Sequence, residues 1–114
     1  MTDAATPSRA EILQGTLEML TLKALTLQPM HGWGISIRLR QISGDVFDVN
    51  QGSLYPALQR MLRRGWIRAY YGDSENNRRA RYYALTAAGR RQLTAERAEF
   101  DRMVGAIQGV LRTT

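Results

Sequence analysis

The chain contains 114 residues, of which 44% are hydrophobic and 23% charged, and this fits one globular domain rather than a disordered chain. It contains no cysteine, which excludes disulfides, thiol nucleophiles and cysteine zinc sites. The lack of cysteine suits a reducing compartment, and the predicted location is the cytoplasm. The formal net charge of +6 comes from 16 basic residues, nearly all arginine, against 10 acidic residues, and no apolar run approaches the ~20 residues of a membrane span.

The first predicted element is a helix from Glu11 to about Leu27. Its apolar residues recur at spacings of three and four positions, at Leu13, Leu17, Leu20, Ala24 and Leu27. Residues 1–8 are predicted to be a frayed tail, and the lack of an apolar stretch before Glu11 is unlike a signal peptide. Pro29 cannot continue a helical hydrogen-bond ladder, so the helix is expected to end near it.

The second and third predicted helices have the organisation of a helix-turn-helix. The second runs from about Trp33 to Ile42, with Ile35, Leu39 and Ile42 on one face, and a Ser-Gly-Asp turn follows it. The third runs from Gln51 to about Arg64. Its inner face is predicted to consist of Leu54, Leu58, Met61 and Leu62. Asn50 and Ser53 are both candidates for its cap, and Gly65 closes it.

Two short β-rich runs follow, and a long helix ends the sequence. The runs are Trp66–Tyr71 and Ala80–Leu85, separated by an eight-residue polar loop at 72–79. Thr86 is the predicted N-cap of the last helix, which reaches about Leu111. Its apolar stripe consists of Leu93, Phe100, Val104, Ile107 and Leu111. About 25 residues at 1.5 Å each give roughly 37 Å of helix, longer than a small core covers, so a second chain is expected against it.

The positive charge is concentrated in the middle of the chain. Residues 52–81 hold seven arginines against Asp73 and Glu75, a local net charge of +5, whereas residues 1–51 sum to −1 and residues 82–114 to +2. The seven are Arg60, Arg63, Arg64, Arg68, Arg78, Arg79 and Arg81. A GC-rich genome would explain the excess of arginine over lysine but not this placement. A polyanion partner is therefore predicted.

The flanks and outer face of the third helix carry the predicted base- and phosphate-binding residues. They are Gln51, Ser53, Tyr55, Gln59, Arg60 and Arg63. Glutamine and arginine suit the edges of adenine and guanine, and hydroxyl groups suit phosphate oxygens. An ordinary solvated face of an amphipathic helix is the alternative interpretation of the helix alone. The basic hairpin that follows directly favours nucleic acid.

The hairpin loop supplies the second half of the predicted site. Asn77, Arg78, Arg79 and Arg81 follow one another there, and a β-ribbon with three arginines suits a phosphate backbone or the minor groove. A solvated mobile loop is the alternative. Four tyrosines on the two strands, at 70, 71, 82 and 83, suggest stacking on single-stranded RNA or, more simply, cross-strand packing.

Other functional classes find little support in the sequence. His31 is the single histidine, and no cysteine or suitably spaced carboxylate accompanies it as a metal ligand or catalytic partner. The HGWG segment lacks the setting and the lysine of a phosphate-binding loop. No enzyme activity, metal or cofactor is therefore predicted. Trp66 is expected to anchor the core, and Trp33 either packs under the nucleic-acid-facing surface or lines a pocket.

Four segments resemble the PadR-like family of transcriptional regulators, most closely a short-tailed branch. They are LQGTLEMLTLKAL (13–25), HGWGISIRL (31–39), QGSLYPALQRMLRRGWI (51–67) and RRARYYALTAAGRRQL (78–93). The resemblance implies a mainly α, winged helix-turn-helix fold of the α+β type, with a two-stranded β-wing and a long C-terminal dimerisation helix. Residues 9–86 would form the DNA-binding domain and residues 87–114 the dimerisation helix.

The resemblance also implies a homodimer that binds double-stranded DNA at a palindromic operator and represses transcription. The last helix, aided by the first, would form the dimer interface, with Leu13, Leu17, Leu93, Phe100, Val104, Ile107 and Leu111. Phe100 and Met103, between the two copies of the last helix, could bind a small apolar effector. Ordinary dimer packing is the alternative explanation of these residues. Two alternatives to a DNA-binding regulator are an RNA-binding module with a tyrosine-rich hairpin and a winged helix that binds only proteins.

Overall fold

The computed structural model describes residues 14–113 and contains four α-helices and three β-strands. In chain order they are α1 (Gln14–Ala24), β1 (Met30–His31), α2 (Gly32–Ile42), α3 (Gln51–Arg63), β2 (Ile67–Asp73), β3 (Arg79–Leu85) and α4 (Ala87–Arg112). The predicted winged helix-turn-helix is confirmed. The predicted tail at residues 1–8, the start of the first helix at Glu11 and the interface residue Leu13 lie outside the described residues.

The core lies where α1, α2 and α3 meet the base of the sheet. Its largest fully buried side chains include Leu22, Ile35, Leu54, Leu58 and Met61. Helical spacing therefore identified Ile35 and Leu39 on the inner face of α2 correctly, and likewise the inner face of α3. Burial of such side chains contributes about 1.5–3 kcal/mol each, which is why the three short helices are stable together.

Two apolar residues that were predicted to face the core are exposed. Helix α1 ends at Ala24 rather than Leu27, and Leu27 lies in the following turn with 65% of its surface exposed. Ile42, the last residue of α2, is 60% exposed. Phe47 and Val49, from the segment between α2 and α3, pack against the core instead. Periodicity thus failed at the helix ends, where the chain changes direction.

Local signals set both ends of α3. The Asn50 side chain accepts a hydrogen bond from the backbone N–H of Ser53 at 2.8 Å, so Asn50 is the N-cap. At the other end, Gly65 has a φ of +76°, a left-handed conformation that glycine adopts at little cost. The N–H of Trp66 then donates to Met61 and that of Gly65 to Leu62, which satisfies the last carbonyls. Pro56 lies inside the helix and gives up one backbone donor.

The sheet contains one strand more than predicted. Its order is β1-β3-β2, all antiparallel, and β1 pairs Met30 with Tyr83 and His31 with Tyr82. The predicted eight-residue loop is wrong, because pairing continues to Asp73 opposite Arg79. The connection is Ser74–Arg78, in which the N–H of Asn77 donates to Ser74 at 2.9 Å and that of Ser74 donates to Arg78 at 2.8 Å. We call β2, β3 and this connection the wing.

The long helix α4 begins at the base of the wing and extends beyond the core. Thr86 is its N-cap, as predicted: the hydroxyl oxygen accepts from the N–H of Gly89 at 3.0 Å and lies 2.7 Å from the carbonyl oxygen of Gly65. Helix α4 contacts α1, and Leu93 packs against the core. The remainder projects outward, and the molecule measures 57 × 35 × 22 Å.

Candidate nucleic-acid interface

The start of α3 presents exposed polar groups and is fixed to α2. Ser53 and Tyr55 are exposed, Tyr55 to 53%. The Gln51 amide nitrogen donates to the hydroxyl of Ser36 at 2.7 Å and to the carbonyl of Gly32 at 3.3 Å. Gln51 therefore positions α3 against α2 with its amide hydrogens, and the N-terminal turn of α3 remains open to solvent.

The outward line of α3, opposite its buried face, passes through Gly52, Pro56, Gln59 and Arg63 at helical spacing. Arg63 is exposed. Gln59 is half-buried, and its amide nitrogen is buried without a hydrogen-bond partner among residues 14–113. The described residues thus provide no hydrogen-bond acceptor for the amide nitrogen of Gln59.

Arg60 does not belong to an open binding face. Its Nε lies 2.8 Å from Oε2 of Glu18, and a terminal nitrogen of Arg64 lies 3.5 Å from Oε1 of the same carboxylate. Glu18, on α1, is only 4% exposed. Arg60 thus lies on the flank of α3 that faces α1, where a buried carboxylate holds it across the helix pair, and its predicted contact with DNA stays a prediction. Sequence reasoning missed Glu18, whose partners are more than 40 positions away.

The wing places its arginines on two faces. Side chains of paired residues in an antiparallel ladder share a face, so Arg79 and Arg81 lie on the same face as Tyr71 and Tyr83. Their guanidinium groups lie over these rings, at 4.7 Å for Arg79 and Tyr71 and at 5.8 Å for Arg81 and Tyr83. Arg68 lies on the opposite face, over Tyr70 at 5.5 Å. The seven arginines of the basic segment therefore do not form one surface.

The tip of the wing is exposed and carries both signs of charge, with Arg78 and Arg79 close in sequence to Asp73 and Glu75. Asn77 has a φ of +59°, the left-handed conformation that asparagine tolerates best after glycine. This turn leaves Asn77, Arg78 and Arg79 exposed. Within residues 14–113, none of Arg78, Arg79 and Arg81 forms an ion pair. The tip thus offers guanidinium groups that form no ion pair within the described residues, with Asp73 opposite Arg79 in the ladder.

Most of the tyrosines pack within the protein. Tyr82 stacks on Tyr70 with ring centroids 5.7 Å apart, meets His31 edge to face at 5.4 Å and donates to the carbonyl of Asp73 at 3.0 Å. Tyr83 is 3% exposed. Burial raises the pKa of Tyr83, and the nearby charge of Arg81 opposes that rise. Tyr71, 61% exposed, is the ring that most resembles a base-stacking platform, so the geometry favours cross-strand packing over RNA stacking.

A groove of about 880 Å³ joins the two parts of the predicted site. It runs between α2, the start of α3 and the wing, and we call it the α2–wing groove. Gln51 and Tyr55 line it from α3, and Asn76 and Arg81 line it from the wing. Trp33 and Arg38 line it from α2, so the pocket-lining interpretation of Trp33 is correct. Sequence reasoning did not single out Arg38.

Metal binding finds no support in the described part of the chain. Between residues 14 and 113, no group of three or more His, Asp or Glu side chains is placed to hold an ion. His31 instead caps α2, because its Nδ1 accepts from the N–H of Gly34 at 3.0 Å. No helix of the described segment is long and apolar enough to cross a membrane.

The predicted interface residues of α1 and α4 separate into two groups. Leu17 is 4% exposed and Leu93, partly buried, packs on the core, so both stabilise their own protomer. Their predicted place between two chains stays a prediction. Val104 is half-buried. Phe100, Ile107 and Leu111 are 43%, 51% and 76% exposed, and Met103 and Val110 beside them are 55% and 72% exposed.

Comparison with known proteins identifies a family model and several similar proteins. The model of the PadR-like family of transcriptional regulators matches residues 21–95. A PadR-like transcriptional regulator from Bacillus cereus is 26% identical, with a TM-score of 0.77 over 92% of this chain and 100% of its own. A transcriptional regulator from Clostridium thermocellum is 23% identical, with a TM-score of 0.79 over 88% of this chain and 97% of its own.

Two uncharacterised proteins are similar in sequence. One from Lysinibacillus sphaericus is 28% identical over 86 residues, which cover 75% of this chain and 79% of that protein. The other is a 37.1 kDa protein in a transposon, from Streptomyces fradiae, 36% identical over 90 residues. This match spans 79% of the present chain but 24% of the Streptomyces protein.

Proposed function

The chain belongs to the PadR-like family of transcriptional regulators, and from this premise we propose that it is a repressor that binds a palindromic DNA operator as a homodimer. As a member of this family it is a DNA-binding regulator and not an enzyme. A transcriptional regulator acts where the DNA is, so the predicted cytoplasmic location follows from the proposed function.

The observation that carries the proposal is the shared border of α3 and the wing. Both elements line the α2–wing groove, so a duplex that receives the start of α3 also meets the wing. In a winged helix the recognition helix enters the major groove, and arginines on a β-ribbon meet the phosphates or the adjacent minor groove. The ion-pair-free arginines at the wing tip suit the second task.

The proposed contacts follow from exposure and chemistry. Arg63, exposed on the outward line of α3, would read base edges. Gln59, half-buried on the same line, would read a base edge once its buried amide nitrogen turns outward. Phosphates would be bound by Ser53, Tyr55, Asn77, Arg78, Arg79 and Arg81. Gln51 was also predicted to bind DNA, but its amide hydrogens are donated to α2, so it would fix the start of α3 rather than bind a phosphate. Arg60, which is held by Glu18, would fix the position of α3 rather than touch DNA. The proposed DNA-binding domain is residues 9–86, as predicted from the sequence.

The far half of α4 supports the homodimer. Phe100, Met103, Ile107 and Val110 repeat at alternating spacings of three and four, the pattern of a coiled-coil seam, and all four are exposed in the single chain. A stripe of this length is unfavourable in water unless another surface covers it. We assign residues 87–114 to dimerisation. A small apolar effector, if one binds this dimer, would enter between the two copies of α4 near Phe100 and Met103.

The test is a salt titration of DNA binding with the wing arginines removed. Each phosphate that a variant no longer binds should reduce the slope of log K against log salt by about 0.9. Arg78→Ala with Arg79→Ala removes two phosphate-binding side chains from each protomer of a dimer, so the slope should fall by about 3.6. Between about 50 and 200 mM salt, the affinity of the wild type should then fall roughly 100-fold more than that of the variant.

A matched control separates this effect from net charge. Arg91→Ala with Arg112→Ala removes two exposed arginines from the side of α4 opposite its apolar stripe and should leave the slope unchanged. Gln59→Ala should alter the preferred sequence with little change in slope. An unchanged slope in the wing variant would refute the wing assignment. Retention of full affinity for single-stranded RNA, with none for duplex DNA, would favour the RNA-binding alternative.

A further inference from the structure

Two residues of the α2–wing groove have no assigned role in the contacts proposed so far. Arg38 lines the groove from α2, and among residues 14–113 its side chain forms no ion pair or hydrogen bond; its Nε is buried without a partner. Trp33, also on α2, lines the same groove and is 63% exposed. The buried, unpartnered nitrogen of Arg38 calls for an explanation, because buried polar groups are nearly always hydrogen-bonded.

The walls of the groove have a positive balance. Arg38 comes from α2 and Arg81 from β3, whereas Glu75 is the carboxylate residue that lines the groove. Tyr55 and Tyr82 add aromatic surface. Guanidinium groups bind phosphate oxygens in a two-point geometry, and aromatic rings pack against the apolar faces of sugars and bases. The groove therefore has the chemistry to hold a nucleotide backbone.

The geometry of a duplex supplies the occupant. The major and minor grooves of DNA are separated by a sugar–phosphate strand. If α3 occupies the major groove and the wing meets the adjacent minor groove, the intervening strand crosses the space between α3 and the wing. That space is the α2–wing groove.

We propose that the α2–wing groove cradles this intervening strand, with Arg38 bound to a phosphate and Trp33 packed against the neighbouring deoxyribose. The inference rests on the proposed function, because it requires that α3 and the wing engage duplex DNA. It adds α2 to the binding surface and assigns two residues that lie outside the recognition helix and the wing. A small planar anion is the competing occupant, but small-molecule sites enclose most of their ligand, whereas Trp33 and Tyr55 leave this groove open at its rim.

The first experiment measures binding of the full chain to labelled duplexes across a range of salt. Arg38→Ala should weaken binding to every sequence and lower the salt slope by about 0.9 per protomer. Arg38→Lys keeps the charge, so it should retain the slope while it loses affinity, since an ammonium group lacks the two-point geometry. Arg91→Ala, on the side of α4 opposite its apolar stripe, removes the same charge and should behave like the wild type.

The second experiment uses Trp33 as a reporter and does not depend on the stability of an Arg38 variant. Acrylamide quenching is compared for the wild type and Trp33→Phe, and the difference isolates Trp33 from Trp66, the second tryptophan of the chain. Saturating duplex DNA should protect the Trp33 signal several-fold. The signal of Trp33→Phe should change little.

The results distinguish the strand cradle from the proposed function. If Arg38→Ala keeps the wild-type slope and DNA leaves Trp33 quenching unchanged, while the wing arginine variant still loses its slope, the cradle is refuted and the DNA-binding regulator stands. If a planar aromatic anion protects Trp33 and duplex DNA does not, the groove is an effector site. If the wild type binds no duplex, both proposals fail.

Discussion

Gly89 of α4 lies so close to its neighbours that an added methyl group should lower the free energy of unfolding. It is buried at the start of the helix, against the backbone of Trp66. A Cβ built there overlaps the Trp66 carbonyl oxygen, and it lies 3.0 Å from the carbonyl carbon and 2.7 Å from Cδ1 of Leu85. Because the main obstacle is backbone, a change of side-chain rotamer does not relieve it.

Two opposing terms determine the effect of Gly89→Ala on the free energy of unfolding. In a helix, alanine is favoured over glycine by up to about 1 kcal/mol. Overpacking a tight contact typically costs about 1–3 kcal/mol. A backbone movement that relieves the overlap would also strain the Thr86 cap, which contributes about 1 kcal/mol. We therefore expect a net destabilisation of about 1–3 kcal/mol.

Gly105 provides the matched control on the same helix. A Cβ at Gly105 meets no atom within 4 Å, and helical spacing places it opposite the exposed apolar stripe. Gly105→Ala should therefore stabilise the protein by up to about 1 kcal/mol. Urea unfolding at one protein concentration measures both variants, since the stability of a dimer depends on concentration. Stabilisation by both substitutions would refute the close packing of α4 on the wing base.

Three further predictions concern the dimer, the buried ion pair and a buried tyrosine. Ile107→Asp places a charge in the exposed stripe of α4 and should shift the protein from dimer to monomer in sedimentation equilibrium, and an unchanged mass would contradict the assigned interface. Glu18→Gln removes the carboxylate that holds Arg60 and Arg64 and should lower the free energy of unfolding by about 1–3 kcal/mol. This is less than the loss of a fully buried ion pair would cost, because solvent screens the half-exposed Arg64. An unchanged urea midpoint would show that the ion pairs of Glu18 contribute nothing to stability. Tyr83 has a pKa raised above its ordinary 10.0, so its contribution to stability is complete below about pH 10 and is lost as the pH rises through the raised value. Tyr83→Phe should therefore reduce the alkaline loss of stability in urea unfolding, and parallel profiles for variant and wild type would argue against the raised pKa.

Features set by neighbouring residues were predictable from the sequence. The caps at Asn50 and Thr86 and the left-handed Gly65 depend on hydrogen bonds within a few positions, so composition and spacing suffice to locate α3 and α4. The inner residues of α2 and α3 follow from a helical period that the core enforces.

Features set by distant residues were not predictable in the same way. Strand β1 has two residues, too few for an alternating pattern, and it exists because Tyr82 and Tyr83 pair with it. The placement of Arg60 depends on Glu18, a residue of α1 that faces the core in the apolar pattern. In both cases the partner is identified by the tertiary fold rather than by local sequence.

The candidate site shows the same division. Charge density alone indicated the basic segment, and the strand register shows that its arginines occupy two faces of the wing. Arg38 was missed because it stands between two apolar residues of α2 and belongs to no basic cluster in the sequence. The groove that gives it a role forms when the wing folds beside α2.

The central claim is that the protein reads a specific duplex sequence as a symmetric dimer. Selection of bound duplexes from a random pool by the full chain, followed by sequencing, tests this most directly. We predict an inverted repeat whose half-sites are centred about one helical turn, or about 34 Å, apart. A pool with no enriched sequence, or with one enriched half-site lacking its inverted copy, would contradict the account.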